Sequence, residues 1–191
     1  MAAALGVSFT PCLTSCCHHF LEEARTAKAG LAVAQPARVA GWLYLGDIGY
    51  VEGLVAEGPQ GVPFAGILSL WPESMCGVDG VKRFGQLQGF GCAHQVVAAS
   101  DSMGFDMLSQ ALPAAMSFAR PFFERRATLL VHGRDGINCS AFIVAALLVL
   151  LEDMPLTDAL RAIAASRGRA LTNRSFRAQL LDIAARTGRL Q

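Results

Sequence analysis

The apolar run Thr128-Leu129-Leu130-Val131 passes directly into His132-Gly133-Arg134-Asp135-Gly136-Ile137-Asn138-Cys139-Ser140 and then into a second apolar stretch, Ala141 to Leu151. An unbroken apolar run before a loop is the pattern of a strand buried on both faces of a parallel sheet. Ala141 to Leu151 is about half of the roughly 20 residues that cross a bilayer, so it reads as a buried core helix and no transmembrane segment is expected. Strand, glycine-containing loop and helix start together form an anion cradle, because backbone N–H groups and the positive helix end face one small volume.

The rest of the chain supplies the sheet around that unit. Gly41-Trp42-Leu43-Tyr44-Leu45-Gly46 is predicted as a short strand, and Asp47 as the cap of a helix running to about Glu57. Ala65 to Leu70 and Gln95 to Ala99 read as further core strands, the latter delivering Ser100-Asp101 into a loop. The stretch from Trp71 to Gly91 holds five glycines and is expected to be a loop with at most one helical turn. Leu108, Leu112, Met116, Phe118 and Phe122 lie at helical spacing, which predicts one long helix from Phe105 to Arg126 kinked by Pro113 and Pro121. Two last helices are expected over Thr157 to Arg167 and Arg174 to Gly188, with Thr172 or Asn173 capping the second. Strands alternating with helices give an α/β domain with a mostly parallel central sheet of four or five strands, whose ligand site lies at the carboxyl ends of the strands. Segment 132–140 occupies that place.

A chain of 191 residues with 53% apolar and 16% charged side chains builds one ordinary core. We expect a poorly defined N-terminal extension over residues 1–38, with a short helix from Ser15 to Lys28, and one domain over 39–191. A net charge of +1 gives no field that favours nucleic acid or an acidic membrane. The six cysteines lack the repeated spacing of a disulfide scaffold, so a reducing, cytoplasmic setting is expected. Cys16-Cys17-His18-His19, with Cys12 four residues before, suggest metal ligands, and Cys16 and Cys17 acylation sites, but no second ligand cluster accompanies them, and no metal or other cofactor is expected.

The stretch Leu130 to Ser140 resembles the signature of dual-specificity protein phosphatases, in which His-Cys, five residues, then Arg-Ser or Arg-Thr form the phosphate loop. His132, Gly136 and Ser140 match their places. Met154, Leu156, Asp158-Ala159, then Asn173, Phe176 and Gln179-Leu180 are similar in order and spacing to that family's last two helices. Leu43-Tyr44-Leu45-Gly46 and Ile67-Leu68-Ser69-Leu70 look like its early strands, and Ser100-Asp101 like the loop carrying its general acid. The likeness covers about residues 39 to 188.

The resemblance implies a thiolate nucleophile, an arginine that grips the phosphoryl group, an acid and an assisting hydroxyl. Here the nucleophile position is Gly133 and the arginine position is Cys139, while Asp101 and Ser140 keep the acid and hydroxyl positions, with nothing to assist. With a weak protein phosphatase using Cys139 or another nucleophile, and a purely structural interaction domain, as the alternatives, the expected function is therefore that of a pseudophosphatase. It would bind a phosphorylated protein, or a kinase or phosphatase partner, with phosphate or sulfate as a possible occupant of the loop. Cys139 stands at a helix start, where a thiol pKa falls; it reads as a relocated nucleophile, a redox thiol or a small buried apolar residue. Arg134 reads either as a compensating cation at the rim or as a solvated surface charge. Asp101 reads as a remnant acid or a loop-capping group, and His132 as the residue that orients the loop.

Overall fold

The computed structural model describes residues 35–58, 62–76 and 78–191. The expected helix from Ser15 to Lys28 and the Cys12, Cys16, Cys17, His18 and His19 group lie outside them. The sheet has five strands, β1 (Ala37–Arg38), β2 (Leu43–Asp47), β3 (Gly66–Trp71), β4 (Ala93–Ala98) and β5 (Leu129–Gly133), in the order β1-β2-β5-β3-β4. Only β1 is antiparallel; it pairs Ala37 with Leu45, ahead of the expected domain start. The strand carrying the loop is central, flanked by β2 and β3 in parallel.

Alternation along β5 divides the core. Leu129 and Val131 face one side with Leu43, Leu45, Leu68 and Leu70, while Leu130 faces the other with Ile67 and Trp71. The first side is covered by α3 (Met107–Gln110), α4 (Leu112–Arg125), α5 (Cys139–Leu151), α6 (Leu156–Arg167) and α7 (Arg174–Thr187). The second is covered by α1 (Ile48–Glu57) and α2 (Val78–Gly89). Helix α5 is buried at every residue from Ser140 to Val149, as its unbroken apolar sequence requires. Among the described residues no helix is long and apolar enough to cross a membrane.

Two expectations are corrected. The stretch from Trp71 to Gly91 is not a loop: it holds a 3-10 turn at Glu73–Met75 and the 12-residue helix α2. Gly80 and Gly85, inside it, each cost a helix about 1 kcal/mol, which hides it from local reading. Packing of Phe84 and Leu87, one turn apart and both buried beneath the sheet, outweighs that cost. The long helix from Phe105 to Arg126 is instead two, broken at Ala111. Pro113 falls in the first turn of α4, where a missing N–H is not used, so it starts a helix rather than kinking one.

The caps follow local chemistry. Asp47 accepts from Tyr50 N at 3.1 Å and starts α1. Asn173, not Thr172, starts α7 by accepting from Ser175 N and Phe176 N.

Candidate functional site

Residues 133–140 join β5 to α5 around one wall of a cavity of about 280 Å³; Leu70, Trp71, Pro72, Ala99 and Asp101 form the other wall. Every loop residue expected from the sequence except His132 lines it, and Asp101 is brought to it from the loop after β4. Three contacts brace the loop from outside: Ile48 N donates to Arg134 O, Leu171 N to Ile137 O, and Arg167 Nη2 to Asp135 O at 3.1 Å. Arg167 also pairs with Asp47 Oδ2 at 2.7 Å, both side chains being largely buried. Gly136 turns the loop with φ +68°, against Gly46 O and Arg167.

Gly133 ends β5 at the floor of the cavity. A Cβ built on it would lie 3.6 Å from Ser140 Oγ and 3.7 Å from Leu70 O, in ordinary contact distance. Ser140 is 1% exposed and its Oγ has no hydrogen-bond partner among the described residues. Backbone amides from Asp135 to Ser140 likewise donate to no carbonyl among the described residues. The cavity is thus lined with unspent donors, which is what an anion cradle requires.

Cys139 opens α5 and is partly buried. The helix start does not lower its pKa: burial, with the Asp101 carboxylate adding to it, pushes the thiol up to about 12. Of the three readings of Cys139, a neutral and partly buried thiol is the state that this environment favours. Arg134 points outward, its side chain 81% exposed, 3.4 Å from the Asp135 carboxylate. Surface pairs of this kind contribute little to stability.

Asp101 is clamped. Asn138 Nδ2 donates to its Oδ2 at 2.7 Å and Asn173 Nδ2 to its Oδ1 at 2.8 Å. Asn138 also exchanges hydrogen bonds with Thr172 Oγ1. Gln179 holds the rest of the Asp101 loop, accepting from Met107 N and donating to Phe105 O.

His132 is fully buried on the α1/α2 face, turned away from the cavity. Its Nε2 lies 2.6 Å from Ser69 Oγ, which also lies 2.8 Å from His94 Nε2. A hydroxyl has one proton, so with both rings neutral one imidazole donates to Ser69 and the other accepts. Burial lowers the pKa of His132 to about 3, with a smaller contribution from His94, whose own pKa burial lowers to about 4. Both sit near 6.5 in the unfolded chain, which therefore takes up protons below that pH that the folded chain refuses. Stability is full above pH 6.5 and falls as the pH drops toward 4. Urea denaturation at pH 7, 6 and 5 is expected to show a loss approaching about 1.4 kcal/mol per pH unit from His132 alone. His94→Gln should make the loss shallower; a flat profile would contradict neutral burial of the pair.

The contribution of Arg167, Asn138 and Asn173 to the site was not legible locally, and neither was the Ser69–His94 link. Ser69 lies inside an apolar strand, where an isolated hydroxyl was the sole signal of a buried polar partner.

No family model matches the chain. It is 33% identical over 96 residues to human dual specificity protein phosphatase 26, covering 50% of this chain and 45% of that protein. It is 37% identical over 98 residues to mouse dual specificity protein phosphatase 13B, covering 49% of each. The chain thus spans about half the length of the curated relatives it matches. Among solved structures, human DUSP28 superposes with a TM-score of 0.64 at 20% identity, over 80% of this chain and 95% of that one. The human tyrosine phosphatase-like serine/threonine/tyrosine-interacting protein gives 0.59 at 18% identity, over 78% and 95%. The parallel sheet and the strand–loop–helix at its centre give the chain the fold of dual-specificity-phosphatase-like structures, and half of its sequence is similar to dual specificity protein phosphatases.

Proposed function

We propose that the chain is a pseudophosphatase, a module that binds a phosphorylated segment of a protein partner at the 133–140 loop without hydrolysing it. The observation that carries this reading is Gly133: the floor of the cavity offers no nucleophilic atom where the family places its thiolate. The nearby alternative, Cys139, stays a neutral thiol up to about 12 and is not poised for attack. The arginine that would stabilise the transition state is absent as well, and loss of one such donor costs about 10²–10³ in rate. Unspent loop amides and the Ser140 hydroxyl are what remains for binding.

The purified chain is expected to give no turnover of p-nitrophenyl phosphate above a protein-free blank. In peptide mapping after iodoacetamide at pH 8, Cys139 is expected to stay unmodified in the native protein and to react in urea. Turnover that Cys139→Ala abolishes would defeat the proposal in favour of a weak phosphatase. A phosphopeptide that raises the melting temperature in proportion to the logarithm of its concentration would separate a binding module from a purely structural domain.

A further inference from the structure

The charges around the cavity limit which anion it can take. Its charged lining groups are Asp101, Arg134 and Asp135, and the last two face each other at the exposed rim. No side-chain cation among the described lining residues opposes Asp101. The α5 terminus supplies only about half a positive charge. A dianion there meets the Asp101 carboxylate with too little to offset it, and a single negative charge meets half of that repulsion.

The hydrogen-bond pattern sharpens this. Asn138 Oδ1 accepts from Asn173 N, and Asn173 Oδ1 accepts from Ser175 N and Phe176 N. Those backbone donors settle which end of each amide is nitrogen, so both amides present N–H to Asp101. Both Asp101 oxygens are therefore acceptors, one N–H on each. A carboxylate has about four lone-pair sites, which leaves room for a further donor from the cavity. Opposite it, the buried Ser140 hydroxyl and the loop amides are donors without acceptors. The fitting ligand accepts on several oxygens and donates on one.

We infer that the cavity selects the singly charged, protonated form of a phosphate monoester, which gives its P–OH to Asp101 and takes hydrogen bonds from Ser140 and the loop amides. This rests on the reading of the loop as a phosphoryl-binding site and adds which ionic form it takes. A sulfate monoester has the same shape and charge but no proton to donate, so its oxygens would face Asp101 in repulsion. A phosphate monoester loses its second proton near pH 6, so its binding weakens above that pH.

The other groups around the cavity do not change charge in this range. Leu70, Trp71 and Pro72 from β3 and the turn after it carry none, and Cys139 on α5 is a neutral thiol. Behind the loop, His132 and His94 are neutral and Arg167 is paired with Asp47.

The test is calorimetric titration of the full chain with phenyl phosphate and phenyl sulfate at pH 5.5 and 7.5. At pH 5.5 phenyl phosphate is expected to bind at least about tenfold more tightly than phenyl sulfate, because a partnerless acceptor rejects the analogue that lacks the donor. Its affinity should drop roughly tenfold or more at pH 7.5 as the monoanion disappears. Asp101→Asn should admit phenyl sulfate and remove the pH dependence, and Ser140→Ala should weaken both esters. If Asp101→Asn fails to fold, the wild-type comparison decides alone. Equal affinity for the two esters at pH 5.5, or tighter phenyl phosphate at pH 7.5, would overturn the inference while leaving phosphoryl binding intact. Binding of neither ester at either pH would overturn both.

Discussion

The double substitution Gly133→Cys with Cys139→Arg is expected to give measurable, cysteine-dependent turnover of p-nitrophenyl phosphate, whereas Gly133→Cys alone is expected to stay near the blank. The structure accepts the new thiol. Gly133 has no positive φ, and the nearest atoms to an added Cβ, Ser140 Oγ and Leu70 O, are in ordinary contact at 3.6 and 3.7 Å. The unpartnered Ser140 hydroxyl would then have a thiolate to donate to. What the single variant lacks is a cation for the charge that builds on the phosphoryl oxygens, and a fixed donor of that kind is worth about 3 kcal/mol. A planar guanidinium at position 139 supplies two parallel donors that no smaller side chain can.

Asp101 would serve as acid in the rescued protein, but Asn138 and Asn173 hold both its oxygens as acceptors. The acid step should therefore limit the double variant, and a further Asn138→Ala change should raise its rate with alkyl phosphates more than with the good leaving group p-nitrophenol. Substantial rescue by Gly133→Cys alone would show that the missing arginine is not what keeps the loop inert.

Gly136→Ala is expected to cost the fold about 3 kcal/mol, the sum of left-handed backbone strain and overpacking at one position. Gly136 has φ +68°, and an added Cβ would come within 2.6 Å of Gly46 O and 2.5 Å of Arg167 Nη2. The carbonyl cannot move without shifting β2, and the guanidinium cannot move without leaving Asp47 and Asp135 O. The methyl group therefore acts on three elements at once: β2, the loop and the end of α6. Urea denaturation at pH 7 measures the loss. An unchanged midpoint would mean that the Arg167–Asp47 pair does not hold the loop in solution.

That coupling also explains which parts of the protein were readable in advance. The unit from β5 through α5 was legible because its signals are contiguous: an apolar run, a glycine-containing loop and an apolar helix. The caps Asp47 and Asn173 were legible for the same reason, since a cap and the N–H groups it serves lie within three residues. Helix α2 was not, because its glycines argue against it locally and only the sheet beneath Phe84 and Leu87 argues for it.

The residue types at 101, 133, 139 and 140, and the order of strands and helices that gathers them, belong to the sequence itself. Tertiary structure alone decided their state. Asp101 is tied to residues 37 and 72 positions away, Arg167 to one 120 positions away, and Ser69 to histidines 25 and 63 positions away. Burial that no local pattern announces raises the pKa of the Cys139 thiol, where a helix start alone would lower it. Reactivity depends on desolvation and on charges a few ångströms away, and a chain acquires both only when distant segments pack together.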